Sequence, residues 1–390
     1  MVRIMARLRW STAGESHGAK LVAMIEGVPA GLRLEAADLD ADLARRQRGY
    51  GRGGRMKIET DRATIVSGVR NGETIGGPIA LEVPNADHWA DRMAVGPFPT
   101  PVEAVTRPRP GHADLAGGLK YDRRDLRDVL ERASARETAA RTALGGVARA
   151  LLRACGVDVF AHVTAIGGVR ADVAGVAHAD LAARARASDL ACADPAAEAR
   201  MREAIHAASH DGDTLGGAFE VIATGVLPGL GSHVAWDRRI DGRLAQALMS
   251  VPAIKAVAIG DGVDGAARRG SEVHDPIAWD AGARRFVRAT NHAGGVEGGT
   301  TNGAPVTCAA WMKPISTVRK GMPSVDVATK APATSAFERS DVCAVAAASV
   351  VGEAMVCLVL ADATLEKLGG DSMGELARNL AGYRAQLEAW

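Results

Sequence analysis

In the N-terminal part of the chain apolar residues alternate with polar ones or gather in short runs, and a period of two predicts strands. One is expected about Leu8 to Trp10, one over Leu21 to Ile25, and two more over Arg62 to Val69 and Ile79 to Val83. Asn71-Gly72 separates the last two. That pair tolerates the positive φ angles of a two-residue turn, so a hairpin and antiparallel sheet are expected. Helical periods follow elsewhere. Asp38 to Arg46 carries acid at its start and base at its end, as the helix dipole favours. Thr138 to Cys155 is an Ala-rich helical run with Gly156 as its stop. Leu181 to His206 reads as exposed helix and Arg238 to Met249 as another. Strands are expected over Val157 to Ile166, from Gly216-Gly217 to Val226, up to Gly260, and over Val306 to Trp311. Gly76-Gly77 and Gly298-Gly299 also stand before expected strands, a faint repeat in a glycine-rich chain. Asp87 to Val105 reads as loop. The run Val342 to Ala361 is long enough to span a bilayer, but it is Ala-heavy and carries Glu353; a buried helix capped by Asp341 is the reading preferred.

Composition narrows the class. The 390 residues contain no Pro/Ser-rich or charge-run linker, so one compact unit over 1–390 is expected. Hydrophobic content of 47% supports a core, while aromatics at 4% and 45 glycines imply packing by close backbone approach. A net charge of +1 argues against bulk polyanion binding, so cationic surface must be local. The five cysteines are scattered without a C-x-x-C pair, as suits reduced thiols in a cytoplasm, and no signal-peptide pattern opens the chain.

The chemistry gathers in loops. Arg107 to Arg141 begins with prolines, presents His112 after Gly111, and ends where Ser134 to Glu137 fits a capping box at a helix start. An N-terminus among Arg132, Arg136 and Arg141 is suited to bind phosphate or carboxylate; the alternative is a solvated helix. His17 lies in a second loop, Gly14 to Gly18. Arg45, Arg46, Arg48, Arg52 and Arg55 interleave with glycines, which reads as an ordered anion-gripping loop or as an RGG-like RNA-binding segment. Gly260, Gly262 and Gly265 match G-x-G-x-x-G, the basis of a dehydrogenase alternative, yet no convincing helix follows and a turn is expected. His206 and His210 have helical ligand spacing without a third ligand nearby, so no metal is expected. There is no Ser/His/Asp order, thiolate pair or Walker lysine. What remains suits loss or transfer of phosphate from a small polyanion, with a histidine protonating the leaving group for about 10²- to 10⁴-fold in rate.

In order along nearly the whole chain stand GESHG (Gly14 to Gly18), RRQRGYGRG (Arg45 to Gly53), RPGHAD (Arg109 to Asp114), ERASARETAAR (Glu131 to Arg141) and IGDG (Ile259 to Gly262). NHAGGVEGGTTNG (Asn291 to Gly303), KPIST (Lys313 to Thr317) and RSDVCAV (Arg339 to Val345) complete the set. Together they resemble the chorismate synthase family, in a bacterial, actinobacterial-like form. The resemblance implies an α+β fold, a β-α-β sandwich with helices between two antiparallel sheets, assembled as a cytoplasmic homotetramer that binds neither nucleic acid nor membrane. It implies anti 1,4-elimination of phosphate from 5-enolpyruvylshikimate 3-phosphate, with reduced FMN required and NADPH as a candidate reductant. His17 would protonate the leaving phosphate, His112 would stabilise the anionic reduced flavin, and Asp341 would assist proton removal from C6. FMN contacts would come from Arg132, Ala133, Ser134, Pro252, Ala253, Gly298, Lys313, Pro314, Ile315, Ser316, Thr317 and Arg339. Arg46, Arg48, Arg52 and Arg136 would serve NADP or substrate anions. The chain departs from the family at Pro252, where Asn or Gln is common, at Ala256 in place of Gly, and at Arg319 in place of a frequent Pro.

Overall fold

In the computed structural model, which describes residues 7–95 and 102–390, β1 (Arg9–Ala13) pairs antiparallel with β2 (Lys20–Glu26). Positions 96–101, inside the expected Asp87 to Val105 loop, lie outside the described residues. α1 (Ala36–Gln47) follows, and Asp38 accepts the backbone N–H of Glu35 at its start. β3 (Thr64–Ser67) leads into the short hairpin of β4 (Val69–Arg70) and β5 (Glu73–Thr74), where Asn71 and Gly72 adopt φ of 53° and 78°. The Asn-Gly signal is thus met by a two-residue turn. β6 (Ile79–Pro84) completes a four-stranded antiparallel sheet in the order β1-β2-β6-β3. Leu21, Ala23 and Ile25 on β2, with Ile79, Leu81 and Val83 on β6, turn to one face and are fully buried.

The middle of the chain supplies three helices, α2 (Asp114–Tyr121), α3 (Arg127–Ala133) and α4 (Thr138–Ala154). The expected capping box does not form. Ser134 accepts from Arg136 N within a 3-10 turn, Ala135–Glu137, and Glu137 is turned away to Thr12 and Arg141. Gly156 ends the helix region at φ 85°, a left-handed conformation that glycine adopts without strain. β7 (Asp158–Ile166) and β8 (Val169–Arg170) are followed by α5 (His178–Ala187) and α6 (Pro195–His210). The single helix expected over Leu181 to His206 is therefore two. Pro195 cannot continue a helix but suits the first turn of a new one, and Asp194 caps that turn through Ala196 N and Ala197 N.

β9 (Gly217–Thr224), α7 (Ile240–Met249) and β10 (Ile254–Ile259) lie where strand, helix and strand were expected. Short helices α8 (Gly262–Ala266) and α9 (Gly270–Val273) come next; the first overlaps the glycine fingerprint and ends one residue after Gly265. Hairpins β11 (Ile277–Asp280) with β12 (Arg285–Arg288), and β13 (Val296–Glu297) with β14 (Thr300–Thr301), precede β15 (Val306–Met312). Gly298-Gly299 turn the second hairpin, which ends the idea of a repeat. A third hairpin, β16 (Pro323–Val325) with β17 (Pro332–Thr334), precedes α10 (Val345–Leu368) and α11 (Met373–Ala389).

The second sheet is five-stranded and antiparallel, β10-β15-β9-β7-β8. α4 packs on β2 and β6 of the first sheet, α10 on β7 and β9 of the second, and the two helices pack on each other with α1 and α7 beside them. The layering is the expected α+β sandwich with helices between two antiparallel sheets. α10, the expected buried helix, has the length and hydropathy of a membrane span, but 94% of its apolar window lies inside the protein. Close backbone approach is visible where α4 meets α10, since a Cβ on Gly145 would stand 2.2 Å from that of Ala354. α5 covers the other face of the second sheet, where Phe160, Leu181, Ala182, Ala193 and Ile222 form a smaller cluster, while α6 packs by β8 with Ala197, Met201 and Ile205 in the main core.

Candidate active site

Loops from both halves of the chain meet around a cavity of about 630 Å³, within the ~300–1,000 Å³ usual for small-molecule sites. His17 and His112, far apart in sequence, both line it. So does Asp341.

His17 follows β1, in the turn that returns the chain to β2. Its ring lies flat on Trp89, with centroids 3.6 Å apart and planes 14° apart. Nδ1 is 2.9 Å from Glu131 Oε1, and the backbone N–H donates to Glu131 Oε2 at 2.8 Å. Nε2 faces Arg55 Nη1 at 3.4 Å and Asp87 Oδ2 at 3.8 Å. Burial alone would raise the Glu131 carboxyl, but hydrogen bonds from His17 and Arg127 outweigh it and hold it below the usual range.

His112 is built alike. Gly111, at φ 78°, turns the chain sharply after Pro110 and sets Nδ1 of His112 2.5 Å from Asp114 Oδ1. Asp114 is 1% exposed and takes two further side-chain bonds from Arg109, whose Nη1 also donates to Thr317 Oγ1 at 3.0 Å. Burial pushes its carboxyl up; His112 and Arg109 together pull it well below the ordinary range.

The arginine-glycine loop is ordered. Val342 N–H donates to Gly51 O, and a Cβ on Gly53 would stand 2.8 Å from Ser340 O, so glycine lets the two loops touch. Asp341 does not cap α10, whose flanking residue is Ala344; its carboxylate instead accepts Gly53 N–H at 2.6 Å and lies 3.3 Å from Arg52 Nε. That Nε is buried without hydrogen-bond geometry to any described group, a donor left for a ligand. Arg46 and Arg136 line the cavity but share Asp61, and both are engaged behind the wall by Thr138, Asn85 and Ala135 O. Burial pushes the Arg46 guanidinium down to about 10 although Asp61 opposes it. Arg45 leaves the loop for Glu353 at 2.5 and 2.7 Å, and Arg55 for Ser16 and Glu59. An RGG-like RNA segment would need these side chains free; of the five, Arg48 is the exposed one.

Of the residues expected to contact FMN, Ala133, Ser134, Pro252, Ala253, Lys313, Ile315, Ser316, Thr317 and Arg339 line the cavity. Lys313 is depressed by burial and by Lys255 nearby, and its ammonium has a single weak partner, Pro314 O at 3.4 Å. Four expected contacts lie outside the lining. Arg48 ends α1 in solvent, and Arg132 is drawn to Thr12 and Gly14. Pro314 is exposed between two lining residues, and Gly298 is exposed at its hairpin tip. The anion site expected among Arg132, Arg136 and Arg141 is not assembled, because the three side chains turn to Thr12, Asp61 and Ser250 respectively. Gly260, in the glycine fingerprint, packs against His292 O, where a Cβ would stand 2.1 Å away; that turn is filled by protein, not open to a dinucleotide. Sequence reasoning missed Trp89, Glu131, Asp114 and Arg109 as functional groups, although the last three lie inside quoted motifs.

A cationic hollow with two carboxylate-backed imidazoles suits an enzyme that handles a small polyanion. A chorismate synthase family model matches residues 8–365. Chorismate synthase of Desulforudis audaxviator is 55% identical over 385 residues, covering 98% of each chain. That of Thermobifida fusca is 53% identical over 387 residues, covering 96% of this chain and 98% of the other. A crystal structure of chorismate synthase superposes with a TM-score of 0.81 at 42% identity, covering 98% of this chain and 99% of that one. The chain belongs to the chorismate synthase family. It is a carbon-oxygen lyase of the shikimate pathway, and the family works with a flavin.

Proposed function

We propose that this cavity binds 5-enolpyruvylshikimate 3-phosphate together with reduced FMN and converts the former to chorismate and phosphate by anti 1,4-elimination. The observation that carries the reading is the convergence of His17, His112 and Asp341 on one cationic hollow. When bound, the reduced flavin supplies electron density to a reaction without net redox change. The lining fits such a group: the Nε of Arg52, without a hydrogen bond to any described group, and the weakly held ammonium of Lys313 suit its phosphate and the substrate's anions, and Ala133, Pro252 and Ala253 offer small apolar surface. Ser134, Ser316, Thr317 and Arg339 add polar edges.

His17 donates a proton from Nε2 to the departing phosphate while the carbon-oxygen bond breaks. Asp341, held by Gly53 and Arg52, assists removal of the C6 proton. His112, anchored through Nδ1, presents its other edge to the negative charge of the cofactor. Arg46 and Arg136 shape the wall. We assign one catalytic unit to residues 1–390, because a single hydrophobic cluster runs from Leu8 to Leu380 through both sheets. We also propose a cytoplasmic homotetramer.

The test is anaerobic chorismate formation from the enolpyruvyl substrate with reduced FMN. The parent protein turns over, and His17→Ala and His112→Ala each lose about 10²-fold or more in kcat. A His17→Ala variant with parental kcat would remove histidine from the proton-transfer role. Supplying NADPH and oxidised FMN instead reads whether the chain reduces its own cofactor.

A further inference from the structure

Glu131 belongs to α3, and neither composition nor spacing marks it as functional, yet it is the residue most closely engaged with His17. Its side chain is fully buried, so no water competes for it. One oxygen accepts the His17 backbone N–H at 2.8 Å and the other lies 2.9 Å from Nδ1, so a single carboxylate holds both the loop and the ring. Trp89 blocks the ring from one face at 3.6 Å. An ionised carboxylate accepts but cannot donate, so Nδ1 must carry the proton. Arg127 Nη1 grips Glu131 Oε1 at 3.0 Å, and its other arm reaches Glu338 Oε1 at 3.2 Å, in the loop that brings Arg339 and Asp341. The second histidine repeats the design, with His112 Nδ1 on Asp114 and Asp114 on Arg109.

We propose that Glu131 is a positioning residue, whose carboxylate holds His17 as the Nδ1–H tautomer and thereby makes Nε2 the cavity-facing atom that takes up and delivers the proton. The charged and titratable groups around that ring are Glu131 on α3, Asp87 after β6, and Arg55, which offers an N–H to Nε2. With Nε2 free of hydrogen in the neutral ring, Arg55 donates a hydrogen bond to it; when a phosphate draws Arg55 away, Nε2 takes a proton from solvent and later gives that proton to the leaving phosphate. Glu131 then faces an imidazolium and stabilises it. The kinetic part of this inference rests on the proposed role of His17; the tautomer itself does not.

The experiment is ¹⁵N spectroscopy of histidine-labelled protein without ligands, with pH profiles of turnover alongside. In the parent, the His17 nitrogens show the Nδ1–H tautomer at neutral pH. Glu131→Gln, close in size, loses that preference because an amide can donate as well as accept. It also lowers kcat by about 10²- to 10⁴-fold, as loss of the correct tautomer does, with KM within about threefold. Its pH profile of kcat departs from the parent's, since the imidazolium has lost its counter-charge. Glu131→Asp, which keeps the charge, recovers part of the rate and the parental tautomer. An Nε2–H ring in the parent, or a Glu131→Gln protein with parental tautomer and pH profile, overturns the proposal. A parent with the Nδ1–H ring but no turnover would instead sink the activity assignment and leave the tautomer result standing.

Discussion

Asp61 accepts from Arg46 and Arg136 at 3.1 and 2.5 Å, all three side chains nearly or wholly buried, whereas Arg52 a few residues along keeps a donor unused. Arginines of one loop therefore divide into wall and hand. Arg46→Ala removes one of the two guanidiniums on buried Asp61 together with the donors to Thr138 and Ala135 O, and is expected to cost about 3 kcal/mol of stability in urea unfolding. Arg52→Ala is expected to raise KM for the substrate, because its buried Nε keeps a donor that no described group uses, and to cost less stability than Arg46→Ala in the same measurement, since Asp341 retains its bond from Gly53 N–H. The buried carboxylates add a pH dependence. Asp114, Glu131 and Glu59 are each held below their ordinary values when folded, so their contribution is complete above about pH 5.5, where the unfolded groups have lost their protons. It fades as pH falls toward the folded-state values, the unfolded chain then binding more protons than the native one. Unfolding free energies at pH 7, 5, 4 and 3 should decline most steeply at the acid end, and less steeply in Asp114→Asn.

At the scale of elements, Glu353 sits in the middle of α10 with 0% exposure and takes bonds from Arg45 on α1, Arg149 on α4 and the backbone N–H of Ala161 on β7. One carboxylate thus ties two helices and a strand to the core helix. Glu353→Ala is expected to lose about 3–5 kcal/mol, because it breaks a buried ion pair with Arg149. Gly145 tests the packing with the opposite sign from propensity. Alanine in a helix interior gains about 1 kcal/mol over glycine, but its Cβ would stand 2.2 Å from Ala354 Cβ, and overpacking costs about 1–3 kcal/mol. Gly145→Ala should therefore melt lower than the parent in calorimetry. These contacts explain what was legible in the chain. β2 and β6 showed themselves because each has one buried face and hence a period of two, and α10 because it is apolar all round. The β11–β12 and β16–β17 hairpins and α11 went unseen. The hairpins are three or four residues per strand, too short for a period to emerge, and α11 buries little beyond Leu376 and Leu380. His17 and His112 were legible because each stands in a glycine-flanked loop. Their carboxylates were not, since Glu131 reaches His17 only through the packing of α3 against the β1–β2 turn.

Seen whole, the molecule leaves apolar surface where a monomer would not. The alternation that buries Leu21, Ala23 and Ile25 turns Val22 and Met24 outward on β2, and among the described residues no helix covers that face; Met24 is 47% exposed. On the β11–β12 hairpin, Trp279 and Phe286 lie 5.0 Å apart edge to face, and Trp390 closes on Phe286 at 5.7 Å, with all three exposed. In a chain with six tryptophans and five phenylalanines, clustering three of these side chains in water costs solvation that association would recover. These two surfaces are where the proposed tetramer is expected to close, the sheet face by burying Val22 and Met24 and the hairpin by burying its aromatic cluster. Light scattering coupled to size exclusion measures the outcome directly. Parent protein should run at four times the 40.4 kDa chain. Met24→Glu and the Trp279→Ser, Phe286→Ser pair should each give smaller particles, since a charge or a lost aromatic anchor at the centre of an interface costs about 2 kcal/mol or more per copy. Neither set of positions touches the cavity, so each variant's circular dichroism should match the parent's. A variant that retained the parental mass would show that its surface faces solvent in the assembly, and one that ran small with native circular dichroism would place the interface there.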